Sequence, residues 1–135
     1  MGTRSIIKFI EKYNEKEKPI VAVYQQYDGY LEYVGKQLCD FLSSKTIING
    51  ISLNQYTNKY ANGIHCLAAQ FIRDYKVEVG GLYIYPVDCE NQDYNYDVIY
   101  DGNKITVRIN MFDKEPFFEG DLDEFKKLIY SSLSV

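Results

Sequence analysis

The chain changes its hydrophobic period abruptly between residues 24 and 31, and that change constrains the fold more than any other feature. Pro19 opens Ile20-Val21-Ala22-Val23-Tyr24, an unbroken apolar run rich in β-branched residues that reads as a buried strand. Proline is tolerated as the first residue of a strand, where its missing donor can face outward. From Leu31 the apolar residues recur as Leu31, Val34, Leu38, Phe41 and Leu42, the stripe of an amphipathic helix that should finish near Ser43-Ser44. A two-residue period cannot pass into a 3.6-residue one without a break, so residues 25–30 must turn. They hold Gln25, Gln26, Tyr27, Asp28, Gly29 and Tyr30. Asp28 is placed to cap the helix, because a carboxylate there accepts backbone N–H groups and suits the positive helix end.

The flanking sequence supplies the rest of one domain. Ser5 to Ile10 reads as a strand, with helix as the competitor, and Glu11 to Lys18 as a solvated turn. Together with the run after Pro19 these suggest an antiparallel hairpin. Residues 45–63 are turn-prone, with Asn49-Gly50 and Asn62-Gly63, and Ile51, Leu53 and Tyr56 as candidate anchors to the core. Ile64, Leu67, Ala68, Phe71, Ile72 and Tyr75 predict a helix over 63–76, and Leu82 to Val87 a strand after Gly80-Gly81. Tyr94, Tyr96, Val98 and Tyr100 alternate with Asn95, Asp97 and Ile99. Asp101-Gly102-Asn103 then signals a hairpin turn, and Ile105, Val107, Ile109 and Met111 alternate again. Asp121 and Glu124 match a capping box that opens a last helix with the stripe Leu122, Phe125, Leu128, Ile129 and Leu133. The expected fold is a single α+β domain, 1–135, with about five mostly antiparallel strands, an N-terminal hairpin plus a C-terminal meander, and three helices.

Composition narrows the partners. A net charge of −4 and a pI near 5.0 argue against general nucleic-acid binding, which needs a basic face, while leaving room for one small anion in a local pocket. Three widely spaced cysteines do not suggest a disulfide framework, so a reducing compartment is expected. No apolar run approaches the roughly 20 residues that span a bilayer, and the start lacks a secretion signal. The myristoylation pattern fails at Ile6, where Ser or Thr is needed. A cytoplasmic protein without membrane contact is expected.

No metal box, phosphate loop or triad is legible, and no cofactor is implied. His65 falls off the helical stripe and reads as solvated, and Cys39, Cys66 and Cys89 read as small core residues. Those four lack the paired spacing of a zinc site. The acids between Asp113 and Glu124 do not match a calcium loop and read as solvated. The pairs Tyr83/Tyr85 and Tyr94/Tyr96 would place phenols on one face of adjacent strands, either packed under a helix or exposed as a stacking surface. Fourteen tyrosines and no tryptophan allow phenols both in the core and at a cleft rim. The junction is the candidate site: Tyr24, Gln26, Tyr27, Asp28, Gly29 and Tyr30. Arg4 is its expected companion, either ion-paired with Asp28 on the surface or gripping a phosphate or carboxylate beside it.

The opening Gly2-Thr3-Arg4-Ser5-Ile6 and the later Tyr24-Gln25-Gln26-Tyr27-Asp28-Gly29-Tyr30, with Gly35 and Leu38, resemble a group of small uncharacterised proteins of bacteriophages, plasmids and prophages. In that group a GTRS run precedes a strand ending in Tyr-x-x-aromatic-Asp-Gly-Tyr, then a glycine and a helix. Two departures stand out: Tyr27 where the group often has Trp, and Leu31 where it often has Pro. The resemblance covers roughly residues 1–42 and implies a viral or mobile-element origin without an activity to carry over. The expected function is a non-catalytic accessory protein that binds a small nucleotide-like ligand or a host factor, for instance to sequester a defence signal. Two alternatives stand beside it: a protein-interaction module or homo-oligomer that uses Phe117-Phe118, and an enzyme that uses Asp28 as general acid or base with Tyr24 or Tyr27 assisting.

Overall fold

A computed structural model describes residues 2–133, with side chains described through 131. Strand β1 (Ser5–Tyr13) and strand β2 (Lys16–Gln25) form the expected hairpin, but both strands run further than the sequence suggests. Tyr13 pairs with Lys16, so the solvated turn shrinks to Asn14-Glu15, both at positive φ (50° and 65°). That is the two-residue geometry whose twist matches the flanking strands, and it lets the charged residues alternate along the hairpin instead of filling a loop.

Residues 31–35 form one turn of π-helix that leads into helix α1 (Lys36–Ser43). The apolar stripe is as expected, with Val34, Leu38, Phe41 and Leu42 buried. Asp28 is not the cap. Tyr30 stands at the cap position without a side-chain bond, and the helix proper begins at Lys36. Residues 45–63, expected to be turns, hold a short parallel pair: β3 (Thr46–Ile48) and β4 (Tyr60–Asn62). Of the anchors expected there, Ile51, Leu53 and Tyr56 are exposed, and Ala61 is buried instead.

Helix α2 (Gly63–Tyr75), strand β5 (Leu82–Tyr85), strands β6 (Tyr94–Tyr100) and β7 (Ile105–Met111), strand β8 (Phe118–Asp121) and helix α3 (Leu122–Leu133) complete the chain. The capping box closes as the sequence requires: Asp121 N–H donates to Glu124 Oε1, and Glu124 N–H donates to Asp121 Oδ1. Leu133 ends α3, but its side chain lies outside the described residues.

The described chain has eight strands, not five, and three α-helices. Six strands form one sheet in the order β5-β2-β1-β6-β7-β8, antiparallel except for β1 against β6. The α+β class holds, and the two terminal portions of the chain meet at the centre of the sheet. All three helices cover one face. Ile7, Phe9, Val23, Tyr96, Val98, Val107 and Ile109 point into that layer and meet Leu38, Leu67, Phe71, Phe125 and Ile129. Burying each such side chain contributes roughly 1.5–3 kcal/mol.

The opposite face is curled. Glu17 of β2 and Arg108 of β7 are three strands apart, roughly 14 Å on a flat sheet at about 4.8 Å per strand. Yet the Arg108 guanidinium donates to both Glu17 oxygens, at 2.7 and 3.0 Å, and also holds Asp97 at 2.9 Å. Burial pushes the Asp97 carboxyl up, while Arg108 acts in the opposite sense. Among the described residues no helix is long and apolar enough to cross a membrane.

Candidate functional site

The two halves of the N-terminal signature interlock. Gly29 N–H donates to Thr3 O at 2.9 Å, so the turn after β2 folds back on the residues that precede β1. A Cβ on Gly29 would lie 2.7 Å from Ser5 Cβ and 2.9 Å from the Arg4 carbonyl carbon, so only glycine fits. Gly2 is placed the same way against the second half: a Cβ there would lie 2.5 Å from the Tyr27 ring and 2.8 Å from Gln26 O. Asp28 sits at φ 58°, a left-handed conformation that Asp adopts more readily than most residues. The buried Tyr96 hydroxyl reaches from β6 and donates to Gly29 O at 2.7 Å, and burial holds its phenol far above the ordinary range. The junction is thus a rigid knot between β1, β2 and β6.

One side of this knot opens into a cleft of about 370 Å³, the size of a small-ligand site. Gln25, Tyr27 and Asp28 line it from the junction, Tyr33 and Gln37 from the π turn and α1, Tyr75 from the end of α2, and Glu78 and Gly80-Gly81 from the segment before β5. Gln25 Nε2 donates to Gln37 Oε1 at 3.2 Å, and the Tyr75 hydroxyl donates to Gln37 O at 3.2 Å. Those bonds lock the walls together. Tyr75 also packs against Phe71 with the rings tilted and their centres 4.7 Å apart, and burial raises its phenol. Gln25 is only 9% exposed, and its Oε1 has no hydrogen-bond partner. Tyr27 and Tyr33 form the rim, each more than half exposed. A shallower groove of about 220 Å³ continues the cleft past Tyr33, Gln37 and Tyr75 to Glu32 and the Lys36–Asp40 pair.

The sheet separates the expected site residues. Tyr27 and Asp28 line the cleft. Gly29 builds the turn, Gln26 N–H binds Gly81 O, and the half-buried Tyr30 donates its hydroxyl to Asp28 Oδ1 at 3.3 Å, so that the carboxylate raises the phenol. Tyr24 and Arg4 belong to the other face. Ser5 pairs with Gln25 and Ile6 with Tyr24, so strand parity puts Ser5 and Gln25 under the helices and Tyr24 on the curled face. There Tyr24 stacks on Tyr85 at 4.5 Å and meets Tyr83 at 6.0 Å. Among the described residues Arg4 makes no ion pair with Asp28. Its backbone N–H binds Asp93 Oδ2, its carbonyl accepts Tyr94 N–H, and its charge acts on Tyr24.

The phenol pairs divide likewise. β5 and β6 are not neighbours, and Tyr94 and Tyr96 pack toward the helix layer while Tyr83 and Tyr85 do not. His65 is exposed at the far end of the sheet, and Cys39 is buried, which pushes its thiol up. The described acids, histidine and cysteines form no metal-ligand cluster.

Sequence reading missed Gln25, Gln37, Tyr33, Tyr75 and Glu78. One signal for Gln25 was present, an amide at a strand position whose parity is buried. Comparison with protein-family models, with curated proteins and with solved structures gives no match.

Proposed function

We propose that this chain is a non-catalytic recognition protein, an accessory protein of a virus or mobile element, that receives a small ligand or part of a host factor in the cleft beneath the Asp28-Gly29 turn. The observation that carries the reading is the cleft floor. Gln25, Gln37 and Tyr75 are tied together there by hydrogen bonds of 3.2 Å, and Tyr27, Asp28 and Tyr33 line the open side. The tyrosine rim offers flat apolar faces, and the glycine knot holds the wall rigid without a ligand, which lowers the ordering cost of binding. Sequestration of a nucleotide-like signal is one form of this role: its base would stack on Tyr27 or Tyr33, and its phosphates would have to reach Lys36 outside the main cleft.

Isothermal titration against nucleosides, nucleotides, ADP-ribose and small amines tests the reading, with Tyr33→Ala as the control for binding in the cleft. Heat with the wild-type protein that is lost in the variant supports it. A folded protein that binds none of these at millimolar concentration removes it.

A second reading rests on a separate apolar groove of about 370 Å³ lined by Leu31, Tyr94, Met111 and the half-exposed Phe117, a surface suited to self-association. Light scattering decides it, since a strict monomer at high concentration excludes a homo-oligomer.

A further inference from the structure

We infer that the tip of the β1–β2 hairpin, residues 11–18, is a hinged strap over the sheet face that carries no helix, that Arg108 holds it shut, and that its release uncovers Ile10 and Ile99. β6 pairs with β1 only as far as Glu11 opposite Tyr100, whereas β1 and β2 stay paired out to Tyr13 opposite Lys16. The last rungs of the hairpin therefore have no third strand beside them. The register also slips between Phe9 and Ile10, at the base of this arm. A bulge there bends the strand and raises its twist, which supplies the hinge.

The arm does not project outward. Glu17 stands opposite Lys12, and Asp97 stands opposite Lys8, so Glu17 lies four residues further along the sheet than the Asp97–Arg108 rung. At about 3.3 Å per residue that adds roughly 13 Å to the separation across the strands, about 19 Å in all on a flat sheet. Yet the Arg108 guanidinium meets both Glu17 oxygens while it holds Asp97. The arm must bend back across the face to close that gap. Among the described residues, these contacts of Arg108 are the only ion pair or side-chain hydrogen bonds that tie residues 11–18 to the rest of the chain, since Lys12 pairs with Glu15 inside the arm.

Beneath the arm, Ile10 and Ile99 face each other across β1 and β6 and are 3% and 4% exposed. Strand parity turns both away from the helices. They belong neither to the core under the helices nor to the cluster of Ile6, Ala22 and Tyr24 on their own face. What shields them is the arm and the Arg108 stem. Lys8 sits beside Asp97, Lys12 across from Glu17, and Glu119 across from Arg108. Hydrogen bonds from Arg108 hold the Glu17 carboxyl below its ordinary range, whereas burial pushes that of Asp97 up. Arg108 is thus the one cation that serves both the sheet and the arm.

Hydrogen–deuterium exchange of the whole chain, with fluorescence of the apolar-surface dye anilinonaphthalene sulfonate in parallel, compares the wild type with Glu17→Gln, Arg108→Met and the control Glu15→Gln. In Glu17→Gln the amides of residues 12–18 should exchange about fivefold faster and dye fluorescence should about double, while β6, β7 and the helices keep their protection. Arg108→Met should open the arm likewise and also lower the melting temperature, because Asp97 is left buried without its partner. Glu15→Gln breaks only the arm's own contact with Lys12 and should change neither reading. Arm amides as protected in Glu17→Gln as in the wild type, or a loss of protection spread evenly over β6 and β7, overturns the hinge. Faster arm exchange without a rise in dye fluorescence overturns the cover over Ile10 and Ile99.

Discussion

Gly29→Ala puts the interlocked N-terminal signature to its most direct test. The added methyl would lie 2.7 Å from Ser5 Cβ, 2.9 Å from Arg4 C and 3.0 Å from Arg4 O. Two of these atoms are backbone at the start of the central strand β1, where neither a rotamer change nor a side-chain swing can relieve the contact. Overpacking of this kind costs about 1–3 kcal/mol, and backbone obstruction places this site in the upper half of that range. For a domain of this size the loss corresponds to a fall in melting temperature of roughly 6–15 °C. Gly35→Ala is the matched control. Gly35 has helical dihedrals (φ −57°, ψ −43°), and its nearest obstacle is the movable Ile129 Cδ1 at 3.0 Å. The gain of about 1 kcal/mol in helix propensity should leave that variant within about 1 kcal/mol of the wild type. Urea unfolding followed by circular dichroism measures both. Ser5→Gly combined with Gly29→Ala removes one of the three obstacles and should recover less than half of the loss. If Gly29→Ala falls within about 0.5 kcal/mol of the wild type, or costs no more than Gly35→Ala, the knot is not what holds the junction.

Other substitutions probe the same architecture from different sides. Tyr96→Phe leaves Gly29 O without its buried donor and should cost about 1–3 kcal/mol in urea unfolding. Ser5→Ala removes a buried hydroxyl that has no partner and should be neutral or stabilise by up to about 1 kcal/mol, read as an equal or higher melting temperature. Asp28→Asn should leave stability unchanged, because Asp28 is not the helix cap and Asn tolerates φ 58° equally well; a clear drop in melting temperature would restore the cap. Hydrogen bonds from Lys36 and Tyr130 hold the Asp40 carboxyl below its ordinary range, so its contribution is present above the unfolded carboxylate value and is lost as pH falls through the lower folded one. Tyr130→Phe should therefore lower stability at neutral pH, with the loss shrinking as pH falls through the folded Asp40 value, read by urea unfolding at neutral and acid pH.

What the sequence determined by itself was local and periodic. Alternation assigned the faces of β6 and β7 correctly, and i, i+3, i+4 spacing identified the buried residues of α1 and α2. The Asp121/Glu124 box marked the start of α3, because its bonds join residues three apart and need no distant partner. The junction was legible as a turn for the same reason. The purpose of its glycines was not, since the atoms that exclude a methyl at Gly29 belong to Arg4 and Ser5, more than twenty residues away in the chain. Only the tertiary structure could build the cleft. Pairing of β2 with β5 carries Glu78 and Gly80-Gly81 toward Gln25, and helix packing brings Gln37 and Tyr75 over it. The register of β1 on β2 decided against Arg4. Once Ser5 and Gln25 share a rung under the helices, parity places Tyr24 on the far side of the sheet, and the Arg4 charge is felt there, away from Asp28. The strand period sorted neighbours correctly, but which distant segments met across the sheet was set by pairing partners that no local pattern encodes.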